Sequence, residues 1–214
     1  MWEELWPHRE KLIPLPGAMG GAVLSIVGAV FLGIKANGGL AIAAAIVYGV
    51  TMVLLFSFSC TYHLVSGPKK LISAFRIVDH CMIYILIAGT YTPVVALVLN
   101  GWVRIAYFSG IWACALIGIA LKIFFTGKFR TVSTILYCVM GLLIALTSVT
   151  LYKTAGFWFM FFLIMGGVMY ISGAVFYAIQ KPKPRHGFGF HEIFHIFVLL
   201  GAGCHYVMTL CYVL

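Results

Sequence analysis

The sequence is short of acid. Of 214 residues, five are acidic: Glu3, Glu4, Glu10, Asp79 and Glu192. Asp79 is therefore the sole aspartate, and beyond residue 10 only it and Glu192 carry a carboxylate. Charged residues of both signs make up 9% of the chain and hydrophobic ones 63%, where a soluble domain carries about 25% charged residues. That deficit excludes an ordinary soluble domain. Cysteine is present six times, at Cys60, Cys81, Cys114, Cys138, Cys204 and Cys211, but without any C-x-x-C pair. Neither a disulfide framework nor a cysteine-based zinc site is indicated, and free thiols packed among apolar residues are expected. Long polar linkers are also missing, so the whole chain, residues 1–214, reads as a single domain.

What remains is apolar and interrupted at intervals. Seven runs stand out: Pro16–Lys35, Leu40–Leu64, Phe75–Leu99, Val103–Phe125, Val132–Leu151, Gly156–Ile179 and His191–Val213. Each has about 20 residues or more, the length of helix that crosses about 30 Å of hydrocarbon. Short connections such as "ANGG", "NGW", "KTA" and "KPKPRHGFG" separate them, punctuated by Gly and Pro. The expected fold is an all-α integral membrane protein, a bundle of seven transmembrane helices.

The net charge of +9 does not point to nucleic acid, because the basic residues come in small groups between apolar runs. Arg9, Lys11, Lys69, Lys70, Arg76, Lys122, Lys128, Arg130, Lys181, Lys183 and Arg185 fall on one face of a seven-span arrangement; Lys35, Arg104 and Lys153 fall on the other. The excess of lysine and arginine on cytoplasmic loops places the N-terminus in the cytoplasm and the C-terminus outside. The first run is expected to be retained rather than cleaved as a signal peptide, because the charge pattern works only if it stays.

Ionisable residues within a membrane are costly, so each needs a reason. Ser59 and His63 close the second run, four residues apart and on one helix face. Asp79 and His80 lie in the first turns of the third. "GFHEIFHIF" opens the seventh, with His191 and His195 again four apart. Alternation of direction brings His63, Asp79, His191 and His195 to one depth near the cytoplasmic surface. Imidazole and carboxylate suit zinc, and three protein ligands plus water make a catalytic zinc site. His80 points about 100° away from Asp79 around its helix and is expected to pack. His205, nearly three turns beyond His195, is expected to be a polar contact inside the bundle. His8 and His186 read as solvated loop residues. His191-Glu192-x-x-His195 also fits H-E-x-x-H, in which Glu192 would be the general base of a zinc protease. That reading leaves His63 without a role, and Glu192 is near enough to the basic loop for a surface ion pair.

Ser59-x-x-x-His63, Asp79 sixteen residues on, "DHCMIYILIAGTYTP" and His191-x-x-x-His195 resemble the motifs of the hemolysin III family. This is the bacterial branch of the superfamily that includes the progestin and adiponectin (adipoQ) receptors. The resemblance covers nearly the whole chain. It implies that His63, His191 and His195 bind Zn2+ directly, that Asp79 holds a water on the metal, and that Ser59 lies beside it. It also implies a multi-pass protein of the bacterial inner membrane. The superfamily is similar to alkaline ceramidases, so the implied activity is zinc-dependent hydrolysis of a lipid amide or ester, with membrane lipids as partners and Asp79 and Ser59 as catalytic residues. The alternatives are a membrane sensor in which zinc is structural, and haemolysin-like perturbation of membranes.

Overall fold

The computed structural model describes residues 16–124, 130–182 and 189–214. Every element among the described residues is helical: α1 (Pro16–Lys35), α2 (Gly39–Leu64), α3 (Lys69–Val98), α4 (Gly101–Phe124), α5 (Arg130–Leu142), a 3-10 turn (Leu143–Thr147), α6 (Ser148–Ile179) and α7 (Phe190–Tyr212). The basic residues Arg9, Lys11, Lys128, Lys183 and Arg185, with His8 and His186, lie outside the described residues.

Five helical runs are long and apolar enough to cross a bilayer: Gly39–Leu64, Lys69–Val98, Gly101–Phe124, Val132–Ile179 and Glu192–Tyr212; Met19–Lys35 is apolar but shorter. The outer surface suits lipid. Leu146, Phe124 and Trp102 are about four-fifths exposed, and Val23, Leu24, Ile34 and Leu116 more than half. A hydrocarbon surround needs apolar side chains outside and backbone groups satisfied within each helix.

α3 is the most enclosed of these runs. One face packs Tyr84, Ala88, Tyr91 and Val95 with Ile111 and Ala115 of α4, Met140 of α5 and Phe159 of α6. Another face puts Leu86 with Tyr48, Met52 and Leu55 of α2 and Val198 and Ala202 of α7. α2 and α3 approach closely where Gly89 meets Thr51; a Cβ at Gly89 would lie 2.0 Å from the Thr51 hydroxyl oxygen. α1 is held by Lys35 Nζ, which donates to the Leu210 carbonyl, and by the Tyr206 hydroxyl, which donates to the Gly28 carbonyl at 3.1 Å.

The ends of four runs fall within two residues of the sequence reading: α1, α2, α4 and α7. α3 does not. It begins at Lys69 rather than Phe75, so the two lysines are helical and the connection shrinks to Val65–Pro68. Lys, Leu and Ala are good helix formers and nothing after Pro68 breaks the ladder. Asp79 is consequently the eleventh residue of α3, nearly three turns in, and not in its first turns.

The fifth and sixth runs also differ from expectation. "KTA" is helical, and Val132–Ile179 is one apolar run of 48 residues. Laid straight it would measure about 72 Å, more than twice the hydrocarbon thickness. It is interrupted at two places. Gly156 has φ 82° and ψ −172°, a backbone region open mainly to glycine. Upstream, the Tyr91 hydroxyl of α3 donates to the Met140 carbonyl at 2.6 Å and accepts the Ile144 N–H at 2.8 Å. Those two backbone groups are partners in an unbroken α-helix. A side-chain hydroxyl placed between them ends α5 and starts the tighter turn.

Candidate functional site

α2 carries Ser59 and His63 in its last two turns, and α7 carries His195 in its second. The two imidazoles meet. His63 Nε2 and His195 Nε2 are 3.0 Å apart, with ring centroids 5.0 Å apart and planes at 74°. His195 follows His191, the second residue of α7, by four positions; the His191 side chain lies outside the described residues.

Two nitrogens bound to one tetrahedral zinc at about 2.0–2.1 Å stand about 3.3–3.4 Å apart. The pair thus meets at nearly the separation that zinc requires, and a small outward shift of one ring opens it. The donor type also fits, since neutral imidazole nitrogen is a preferred zinc ligand. Among the described side chains, no group of three or more His, Cys, Asp or Glu is close enough to hold a metal ion. The described geometry therefore comprises a two-nitrogen pair, with Asp79 outside it.

Asp79 and Ser59 face a cavity that His195 also lines. Asp79 is 6% exposed and Ser59 3%. The Ser59 hydroxyl is buried and directed at the Asp79 carboxyl group. From this polar end the cavity runs between α3, α5, α6 and α7 past Leu86, Val94, Leu163 and Val198 to His205 and Met208. Its volume is about 150 Å³, spread over a depth of roughly 15 Å from ten residues of α7. That is a narrow slot. Leu142 and Ile171 line it and are also 55% and 38% exposed on the outer surface. The slot therefore reaches the lipid-facing side between α5 and α6.

His80 is held by its own helix and by α6. Its Nδ1–H donates to the Arg76 carbonyl at 2.8 Å, which leaves Nε2 to accept from the Tyr177 hydroxyl at 2.8 Å. The Tyr137 hydroxyl donates to the His80 carbonyl at 3.0 Å. Asp79 Oδ2 is 3.7 Å from His80 Nδ1, too long for a hydrogen bond. Tyr137 and Tyr177 were not singled out in the sequence; nothing local marks them, because they arrive from α5 and α6.

Glu192 is not a surface residue. It is 1% exposed, and its Oε2 accepts the Gly189 N–H at 2.7 Å. Glu192 is the third residue of α7, so its carboxylate closes the first turn and faces the positive end of the helix dipole. This engagement gives the acid in "HEIFH" a capping role at the start of α7; Lys183 and Arg185, the basic-loop residues expected to pair with it, lie outside the described residues. His205 sits inside the bundle, its Nε2 3.2 Å from the Leu163 carbonyl. All six cysteines are free.

The family model described as haemolysin-III related matches residues 19–206. Hemolysin-3 of Bacillus cereus is 39% identical over 197 residues, covering 91% of this chain and 87% of that protein. The Hemolysin-3 homolog of Bacillus subtilis is 40% identical over 198 residues, covering 90% and 89%. The human monocyte to macrophage differentiation factor is 30% identical over 167 residues, covering 75% and 66%.

Proposed function

The chain belongs to the haemolysin-III-related family of membrane proteins, and from that premise we propose that it is a zinc-dependent hydrolase of a lipid amide or ester. The observation that carries the reading is the approach of His63 Nε2 and His195 Nε2 to 3.0 Å beside a lipid-accessible slot. His63, His191 and His195 hold the metal. Bound there, zinc supplies Lewis acidity toward a water and a carbonyl oxygen.

The chain's own residues do the rest. The slot admits one hydrocarbon chain from the bilayer between α5 and α6, and its apolar walls exclude bulk water. Asp79 orients the attacking water and accepts its proton. Ser59, whose buried hydroxyl lies beside Asp79, donates to the carbonyl oxygen as negative charge builds there. His80, pinned by Arg76 and Tyr177, keeps the α3 backbone at Asp79 in register.

The protein crosses the bacterial inner membrane seven times, N-terminus in the cytoplasm. Supporting this, a 48-residue run interrupted at Gly156 accommodates two crossings, and the basic residues divide unequally between the two faces. Zinc analysis of purified protein with assay of fatty-acid release from amide and ester lipids tests the activity. Stoichiometric zinc with release abolished by Asp79→Asn supports it. A direct N–H···N bond favours a second reading, in which the His63–His195 pair only ties α2 to α7; protein free of zinc, with the helices still joined, would support that one.

A further inference from the structure

Ten residues beyond His195, about 15 Å deeper along α7, His205 faces the far end of the same slot. It is 8% exposed. Its Nε2 lies 3.2 Å from the Leu163 carbonyl oxygen. A carbonyl only accepts, so Nε2 carries the proton, and in the neutral ring Nδ1 is a bare lone pair. That Nδ1 is buried and has no partner among the described residues. Tyr170 of α6 lies alongside, ring centroids 5.4 Å apart, and also lines the slot. Its hydroxyl is likewise buried, without a partner among the described residues.

The interface of α6 and α7 is shaped to seat both rings. A Cβ at Gly166 would lie 2.4 Å from the His205 imidazole, and one at Gly201 would lie 3.1 Å from the Tyr170 ring. Helices that give up side chains at these two places gain a polar pair at the deep end of the slot, away from Ser59, Asp79 and His195. The pair consists of one acceptor, His205 Nδ1, and one group able to donate, the Tyr170 hydroxyl. A single hydroxyl can satisfy both at once, because it donates one hydrogen bond and accepts others. A charged carboxylate cannot, since it has no proton for Nδ1.

We propose that the deep end of the slot is a subsite for a hydroxyl group carried part-way along a lipid chain, which donates to His205 Nδ1 and accepts from the Tyr170 O–H. The site selects hydroxylated chains over plain ones. This rests on the slot being the lipid site named above, and it requires no catalysis.

The test is displacement of a fluorescent fatty acid from purified full-length protein in detergent by ricinoleate and by oleate. These probes differ only by one mid-chain hydroxyl. Two hydrogen bonds in a buried site predict that ricinoleate competes at roughly tenfold lower concentration. In Tyr170→Phe and in His205→Leu, each of which leaves one of the two hydrogen bonds, the ratio should fall to about threefold, with oleate affinity unchanged in Tyr170→Phe. Tyr170→Phe removes one oxygen and keeps the ring, so the test stands even where His205→Leu fails to fold. Equal competition in the wild type would overturn the subsite while leaving the lipid slot intact, and would assign His205 and Tyr170 to a bound water. A ratio retained in both variants would also overturn it. Failure of either fatty acid to displace the probe would remove both the subsite and the lipid slot.

Discussion

The Glu192 carboxylate accepts the N–H of Gly189 at 2.7 Å, so the acid of "HEIFH" is turned back onto the start of its own helix. Glu192→Ala should therefore cost about 1 kcal/mol of stability, the worth of a cap, and leave zinc content unchanged. Melting and elemental analysis of the variant in detergent check this. Loss of zinc in Glu192→Ala, with His63→Ala unaffected, would restore the protease reading.

Tyr91 makes a second prediction. Its hydroxyl occupies a rung of the α5 ladder between Met140 and Ile144. Tyr91→Phe leaves the ring in place and strips both backbone groups of their partner. The expected loss is about 1–2 kcal/mol, read as a lower unfolding midpoint in mixed micelles. An unchanged midpoint would mean that the ladder re-forms across the ring.

The sequence foretold the apolar runs because lipid imposes one requirement on every span, and a run of about 20 apolar residues reports it directly. It also foretold that His63 and His195 would meet, since i, i+4 spacing sets the face and alternating direction sets the depth. The end of α5 was not legible: its cause, Tyr91, lies about fifty residues earlier, and no property of "GLLIALT" announces it. The early start of α3 was hidden because Lys69 and Lys70 read as loop charge while being good helix formers. Glu192 was ambiguous because a metalloprotease base and a first-turn cap share the same letters; what decides is the backbone of Gly189. The roles of His205 and Tyr170 depended on Gly166 and Gly201 facing them across a helix interface, which one chain's pattern does not display.

Asp79→Asn keeps the size of the side chain and removes its ability to accept a proton. Zinc should be retained and fatty-acid release should fall by at least about 10²-fold, the usual worth of a general base. Activity equal to wild type would end the proton-accepting role for Asp79.

Seven crossings from a cytoplasmic N-terminus put Leu214 outside. An alkaline phosphatase fusion at Leu214 should be active and a green fluorescent protein fusion dark. The reverse pattern would mean an even number of crossings, with Val132–Ile179 traversing the membrane once.

The most direct measurement is zinc per protein chain in the wild type and in His63→Ala, His195→Ala, His8→Ala and His186→Ala, each purified in detergent and melted with and without chelator. His63 and His195 face each other at 3.0 Å from helices distant in sequence, so zinc between them should link α2 to α7 and stabilise the folded form by mass action. The account predicts one zinc per chain in the wild type, His8→Ala and His186→Ala, with melting lowered by chelator. It predicts no zinc and a lowered, chelator-insensitive melting temperature in His63→Ala and His195→Ala. Stoichiometric zinc persisting in both of those variants would contradict it.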